Sequence, residues 1–200
     1  MSFFSAPTFQ PKRRFRFLVS FSNLPDVQYM VKSVNKPSYT MTEKTHNVLN
    51  HIFKFPGVVK WNDVKCTFID AKDPDVGSKF FNMLRNSGYV PPAVAGAPAD
   101  LTNYTTGITK DASVRALGQV TIKQLDGGGI QLDSDVAIGA PGVVADTNVL
   151  EEWVLKNAFI KGVQFGEGLD YGSEEITEVS IDLVYDYAEI IVGGTLISGT

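Results

Sequence analysis

The chain has 200 residues, of which 44% are hydrophobic and 20% are charged, and its formal net charge at neutral pH is −4. This composition is typical of a globular protein and excludes a disordered chain, and the length predicts a single domain spanning residues 1–200. Cys66 is the only cysteine, which excludes an internal disulfide, and no apolar run approaches the roughly 18 residues of a membrane span. We therefore predict no membrane anchor. Because basic residues follow apolar ones in "MSFFSAPTFQPKRR", the wrong order for a signal peptide, we expect folding in the cytosol.

Charge is distributed unevenly along the chain. Residues 1–87 hold 13 Lys and Arg against 6 Asp and Glu, whereas residues 151–200 hold 2 against 10. The first segment is therefore basic and the last acidic. Such a gradient predicts complementary surfaces, either within one molecule or between neighbouring copies in an assembly.

The first elements predicted in chain order are strands. The alternation of "RFRFLVSF" over 14–21 indicates a half-buried strand, and "VQYMVKSV" over 27–34 follows the turn "NLPD". Residues 14–34 are therefore interpreted as a β-hairpin. Residues 38–57 show no clear period and predict an exposed loop or long arm, which ends at the turn dipeptide Pro56-Gly57.

One helix is predicted in the middle of the chain, after a strand in "DVKCTFID" that buries Cys66 as a structural thiol. The helix covers 73–88, with Asp73 as its N-cap, Pro74 at its first position and Gly88 as its stop. Residues 89–113 are rich in Pro, Ala, Gly and Thr and are predicted to form a linker or loop.

Strands dominate the remainder of the chain. We predict strands in "VRALGQVTIKQL", in "VLEEWVLKNAFIKGVQF" and in "ITEVSIDLVYDYAEI", with an inserted loop over 126–148 after the first of them. Six to eight strands and one short helix give an α+β domain that is mainly β, a sandwich or barrel.

An acidic stretch over residues 165–187 holds seven carboxylates and no Lys or Arg. Glu178, Asp182 and Asp186 recur every fourth residue on a predicted strand, which places them on one face about 13 Å apart. Paired carboxylates of glycosidases stand about 5 Å apart in retaining enzymes and about 6.5–9.5 Å apart in inverting ones. A solvated acidic face explains the row, and an enzyme would need partners from other strands, so we predict no enzymatic activity.

Metal and cofactor sites are also not predicted. His46 and His51 have no third ligand nearby in sequence, and "LDGGGIQLDSD" lacks the ligand spacing of a calcium loop. Gly127–Gly129 follow a strand but do not precede a helix, so the dinucleotide-binding pattern fails. The remaining interpretation is a self-assembling structural protein.

The C-terminal part resembles a known family. The stretch from "VTIKQLDGGG" through "VLEEWVLKNAFIKGVQFGEGLDYGSEEITEVSIDLVYDYAEI" is similar to the tail-tube protein of contractile-tailed bacteriophages. The matching features are Gln124-Leu125-Asp126, Glu152-Trp153, Asn157-Ala158-Phe159, the Leu169-Asp170-Tyr171 turn and Tyr185-Asp186-Tyr187. The order of elements over 14–88 agrees with the family. Residues 130–148 and the tail after Ile190 depart from its pattern, and either could mark a relative such as a baseplate tube component.

The resemblance implies a virion protein that is assembled in the host cytoplasm. Such proteins form hexameric rings whose strands join into one closed barrel, and the rings stack head to tail inside a contractile sheath. The implied partners are further copies of the chain, the sheath protein outside, and baseplate and tail-terminator proteins at the ends. Genomic DNA passes through the tube without specific binding. A similar ring serves phage-derived injection and secretion systems, which is the alternative function; an isolated enzyme or carbohydrate-binding domain is a third.

Two sets of site residues follow from the resemblance. Residues 38–57 match the family's long arm and are expected to contact a neighbouring ring. The predicted stacking residues are Tyr39, Lys44, His46, His51, Phe55, Pro56 and Gly57. The acidic face of Glu178, Asp182 and Asp186 is expected to line the pore.

Overall fold

A computed structural model describes residues 11–89, 107–126, 149–172, 174–192 and 195–197. In this part of the chain the fold is mainly β with two short α-helices, which confirms the predicted fold class. The β-strands are β1 (Phe17–Phe21), β2 (Val31–Val34), β3 (Tyr39–Val48), β4 (His51–Trp61), β5 (Val64–Ile69), β6 (Val120–Leu125), β7 (Val149–Lys156), β8 (Phe159–Gln164), β9 (Glu178–Val184), β10 (Tyr187–Val192) and β11 (Thr195–Leu196). The helices are α1 (Val76–Asn86) and α2 (Lys110–Leu117).

Two sheets enclose the core. The five-stranded sheet has the order β1-β6-β7-β10-β11, and the four-stranded sheet has the order β2-β5-β9-β8. All pairings within them are antiparallel. Neither sheet closes on itself within the described residues, so a closed barrel stays a prediction for the assembly.

The hairpin predicted over 14–34 is wrong. β1 pairs with β6 in one sheet, β2 pairs with β5 in the other, and a 3-10 helix, Pro25–Met30, lies between β1 and β2. Pro25 fixes its own φ near the helical value and has no N–H to donate to a sheet, which favours a helical turn here. The alternation of apolar residues is the same whether two strands pair with each other or enter different sheets.

Two long strands predicted near the C-terminus each break into two. β7 and β8 are separated at Asn157, whose φ is 54°, and β9 and β10 are separated at Tyr185 and Asp186. At both places the chain passes from one sheet to the other. Tyr187 does not continue the buried face of β9, because this side chain is exposed after the crossing.

The segment predicted as a loop or arm is a regular two-stranded hairpin. β3 and β4 pair over their full length, from Tyr39 opposite Trp61 to Val48 opposite His51. Pro56 and Gly57 are not a terminal turn; they lie inside β4, where the register shifts at a β-bulge.

The first helix starts later than predicted. Asp75, and not Asp73, is its N-cap, and the Asp75 carboxylate accepts a hydrogen bond of 2.9 Å from the backbone N–H of Ser78. Gly88 follows the helix with a φ of 104°, which confirms its role as the stop.

A second helix, α2, replaces part of the predicted linker 89–113 and the start of the strand predicted in "VRALGQVTIKQL". Thr109 caps it by accepting a hydrogen bond of 3.2 Å from the N–H of Ala112, and Gly118 ends it with a φ of 75°. The prediction of one helix missed α2 because eight residues give too short a pattern to separate a 3.6-residue period from an alternating one. The inserted loop predicted over 126–148 lies outside the described residues except for Asp126.

Strand β5 contributes the centre of the core. Val64, Cys66 and Phe68 have no exposed surface, as their alternation predicted, and Val179, Ile181 and Leu183 of β9 pack beside them. Burial raises the pKa of the Cys66 thiol to about 12, so Cys66 is a protonated, structural residue. Phe68 meets Phe80 of α1 with ring centroids 5.1 Å apart, which fixes the helix on the sheets.

Adjacent phenylalanines in α1 test this packing. Phe80 is 1% exposed and Phe81 is 45% exposed. We expect Phe80→Ala to lower the free energy of unfolding by about 3–5 kcal/mol, since it leaves a cavity beside Phe68, and Phe81→Ala to lower it by less than about 1 kcal/mol. Urea unfolding followed by fluorescence measures both values, and equal losses would contradict the assignment of Phe80 to the core.

Candidate functional site

The hairpin of β3 and β4, residues 39–61, projects from the body of the protein and is called the arm below. Every residue of β3 and the first ten residues of β4 are exposed. Eleven extended residues span about 35 Å. The base is held by rings: Tyr39 lies 5.6 Å from Trp61, and Trp61 lies 5.9 Å from Tyr185.

Large apolar side chains are exposed along the arm. Leu49 at the tip is 99% exposed. The other exposed apolar side chains of the arm are Tyr39, Met41, Val48, Ile52, Phe53, Phe55, Val58 and Val59. A two-stranded hairpin is marginally stable in water by itself, and clustered exposed apolar groups mark interaction sites. The arm is therefore a candidate binding element.

The two faces of the arm differ in chemistry. Cross-strand register places Lys44 beside Phe55, His46 beside Phe53 and Val48 beside His51 on one face, which we call the cationic–aromatic face. Glu43 and Lys54 belong to the other face, where they form a salt bridge of 3.1 Å.

The predicted stacking residues divide between these faces. Lys44, His46, His51 and Phe55 share the cationic–aromatic face, whereas Tyr39 lies at the base and Pro56 on the opposite face. Gly57 occupies the bulge. A Cβ at this position would stand 2.4 Å from Thr42 Oγ1 and 2.7 Å from the Thr42 carbonyl oxygen, so only glycine fits without displacing the strands.

The predicted acidic face is not a uniform row. Glu178 accepts a hydrogen bond from Lys32 of β2, and this contact raises the pKa of Lys32. Asp182 stands opposite Lys65 of β5 in the strand register. The carboxylates on the outer face of the four-stranded sheet are therefore interspersed with lysines.

Asp186 does not lie on this face. It sits at the crossing between β9 and β10, where it accepts hydrogen bonds of 2.6 and 2.7 Å from Lys110 Nζ and one of 2.8 Å from Asn157 Nδ2. The bonds from Lys110 and then Asn157 lower the pKa of the Asp186 carboxyl. Its role is to hold a corner of the fold, so the structure does not bring together the three acids that the spacing aligned.

No metal centre is formed by the residues that the structure describes. Glu178 and Asp186 are each neutralised by a lysine, and no described cluster of three His, Cys, Asp or Glu side chains could hold a metal ion. His46 and His51 lie in β3 and β4 without a third potential ligand among the described residues.

A buried carboxylate that sequence reasoning missed lies on β7, the middle strand of the five-stranded sheet. Glu151 of β7 is 6% exposed and forms ion pairs with Lys12 and Lys36, while Trp153 Nε1 donates to it at 3.3 Å. Burial opposes ionisation, but the hydrogen bonds from Lys12, Lys36 and Trp153 prevail and lower its pKa to about 2. The only sequence signal was the Glu151-Glu152 pair, which interrupts the apolar alternation of β7.

A second exposed surface is formed around the loop that connects β8 to β9. It is a groove lined by Lys32, Ile69, residues 167–171 and residues 174–178, and we call it the acidic groove. Leu169, Tyr171 and Ile176 expose most of their side-chain surface there, next to Glu167, Asp170 and Glu174. Asp170 shapes the loop by accepting a hydrogen bond of 2.9 Å from the N–H of Gly172.

Comparison with known proteins identifies the fold. No protein-family model matches the chain, and no curated protein matches its sequence. Solved structures do match. The chain superimposes on one from the cap of the anti-feeding prophage, the AFP tube-terminating cap, with a TM-score of 0.59 and 16% identity over 96% of this chain and 100% of that chain.

Two further matches come from an extracellular contractile injection system, PVC, in its extended state. A chain of its sheath–tube complex matches with a TM-score of 0.55 and 18% identity over 92% of this chain and 94% of that chain. A chain of its sheath/tube terminator matches with a TM-score of 0.54 and 18% identity over 92% of this chain and 99% of that chain. The protein therefore has the fold found in these tail-like assemblies.

None of the helices in the described part of the chain is both long enough and apolar enough to cross a bilayer.

Gly57 gives a test of the bulge. We expect Gly57→Ala to distort the arm and raise its cleavage rate in limited proteolysis severalfold, while the free energy of unfolding of the body changes by less than about 1 kcal/mol. Gly168→Ala is the matched control, because a Cβ there meets no atom within 4 Å. An arm that resists protease equally in both variants would contradict the steric argument.

Glu151 gives a test by pH. A folded pKa of about 2 against an ordinary 4.5 stabilises the fold by about 3 kcal/mol above pH 4.5, and this contribution is lost as pH falls from 4.5 to 2. We expect Glu151→Gln to lower the free energy of unfolding by about 3 kcal/mol at pH 7, with the difference from wild type shrinking over that window.

Glu152→Gln is the control for this measurement. Glu152 makes a longer ion pair, 3.5 Å, with Lys123 at a less buried position. Denaturant unfolding at several pH values should show a loss below about 1 kcal/mol. A pH-independent difference between wild type and Glu151→Gln would refute the role assigned to the charge.

Proposed function

We propose that this chain is a structural subunit of the inner tube of a contractile, tail-like injection apparatus, where it forms hexameric rings that stack head to tail. The observation that carries this proposal is the similarity of fold, over 92–96% of the chain, to chains of tube-terminating and sheath–tube assemblies. The proposed role is structural and not enzymatic: copies of the chain assemble into a tube.

The edges of the sheets support ring formation. β2 and β8 are the outer strands of the four-stranded sheet, and in one isolated chain their outer hydrogen-bonding groups have no strand partner among the described residues. Exposed edges promote uncontrolled aggregation, and closure into a barrel removes them. Pairing of β8 in one copy with β2 in the next would join the four-stranded sheets of all copies around a pore.

The arm supports contact between copies. Its apolar side chains are exposed over most of its length and its base alone is packed on the body. An exposed apolar surface of this kind indicates a protein partner. The predicted stacking role of Lys44, His46, His51 and Phe55 fits their common face.

The finer proposal is a tail tube of a contractile-tailed phage, which conducts DNA through the host envelope and which a sheath surrounds. It rests on the resemblance of residues 114–190 to the tail-tube family. The alternative, a tube of a phage-derived injection system, is favoured by the matches to anti-feeding prophage and PVC structures. The outer face of the four-stranded sheet is the proposed pore wall, with Glu178 and Asp182 on it and Asp186 outside it.

Electron microscopy and mass measurement of the purified full-length chain test the tube assignment. We expect rings with a central pore, a mass that corresponds to hexamers, and stacked tubes at higher protein concentration or with a crowding agent. A chain that stays monomeric throughout a concentration series, with and without crowding agent, would overturn the proposal. In purified native particles, DNA inside the tube would support the phage assignment and protein cargo the alternative.

A further inference from the structure

The cationic–aromatic face of the arm is an unpartnered sheet face of defined charge. Lys44, His46 and His51 lie there with Phe53 and Phe55, and Lys60 continues the same face toward the base. Among the arm residues of this face there is no Asp or Glu, because the only acid of the arm, Glu43, is on the opposite face with Lys54. A partner for this face would present apolar groups surrounded by carboxylates.

The acidic groove has that chemistry. Glu167, Asp170 and Glu174 line it together with the exposed Leu169 and Tyr171. Ile69 and Ile176 extend its apolar lining, and Lys32, which is bound to Glu178, is the only cation among the described residues that line it. The groove and the arm face therefore match in both charge and apolar content.

Strand register places these two surfaces at opposite ends of the four-stranded sheet. The arm joins the sheet through β5 at Val64, which lies opposite Leu183. The groove lies at the other end of β5, where Ile69 is opposite Glu178. The two ends are about 17 Å apart along the strand.

We propose that the cationic–aromatic face of the arm in one copy docks into the acidic groove of the next copy along the tube axis. This inference rests on the proposed function, since it names the surface that receives the arm when rings stack. The arm starts at the end of the sheet opposite to its own groove, so the complementary groove that it meets belongs to another molecule. Two different surfaces at opposite ends form a heterologous contact, which repeats without closing and produces an open stack.

Charge reversal on each surface tests the pairing. Variant A carries Lys44→Glu and His46→Glu in the arm, and variant B carries Glu167→Lys, Asp170→Lys and Glu174→Lys in the groove. In variant A both surfaces are acidic, and in variant B both are basic. We expect each variant alone to form rings but to stack at least roughly tenfold less than wild type, because like charges then face each other.

Mixing the two variants distinguishes docking from general damage. The acidic arm of variant A fits the basic groove of variant B, and the basic arm of variant B fits the acidic groove of variant A. An equimolar mixture is therefore expected to stack again, as alternating copies, and the double set of substitutions placed in one chain is expected to do the same. Electron microscopy counts the stacks, and sedimentation velocity measures the mass of unstacked rings.

A control reverses the charge of acids elsewhere on the surface. Asp26→Lys with Asp111→Lys changes two exposed acids beside α1 and α2, away from both surfaces, and is expected to stack as wild type does. Normal stacking of variants A and B, or no recovery in the mixture, would overturn the docking inference while rings persist. Loss of rings in wild type would instead overturn the proposed function. In that case association of A with B, but not of A or B with itself, still tests the pairing between single chains.

Discussion

The fold depends on a corner at which the chain passes twice from one sheet to the other. The crossings at Asn157 and at Tyr185–Asp186 lie against each other, since Asn157 donates to Asp186 at 2.8 Å and the Asp186 N–H donates to the Lys156 carbonyl at 3.0 Å. Lys110 ties α2 to the same carboxylate. Because β7 continues into β8 and β9 into β10 through this corner, the sheets are held face to face over one core.

The four-stranded sheet that continues from that corner carries different surfaces at its two ends. β5 and β9 run antiparallel through the middle of the four-stranded sheet, so the arm leaves at one end and the acidic groove opens at the other. If the arm of one copy docks into the groove of the next, as we propose, two surfaces that face opposite ways favour head-to-tail growth over a two-fold dimer, in which one patch faces the same patch of the other copy. The open edges β2 and β8 would then leave lateral closure to a different part of the surface.

Charge on the four-stranded sheet is balanced locally. Lys32 meets Glu178, Lys65 faces Asp182, and Lys161 meets Asp63 at 2.7 Å. A wall with alternating charges neither attracts nor strongly repels a polyanion over distances beyond the Debye length of about 8 Å. If this face lines a pore, a polyanion can pass without binding to the wall, because the charges of the wall are already paired with one another. The excess negative charge of the C-terminal segment is instead concentrated in the acidic groove.

The sequence by itself determined which residues form the core of the central strands and that the protein is mainly β. Val64, Cys66, Phe68, Val179, Ile181 and Leu183 were predictable because an alternating pattern reports directly on burial. The sequence also marked Gly88 as a helix end, and it placed the exposed arm within a few residues of its observed bounds.

Only the tertiary structure decided where the strands belong. An alternating pattern specifies the buried face of a strand but not the sheet that covers it, so the breaks at Asn157 and Asp186 and the separation of β1 from β2 were invisible. The same limit hid the buried charge of Glu151. Its two ion-pair partners, Lys12 and Lys36, lie more than a hundred residues away in the chain. The common face of Lys44, His46, His51 and Phe55 likewise required the register of β3 against β4, because cross-strand neighbours are set by pairing and not by sequence spacing.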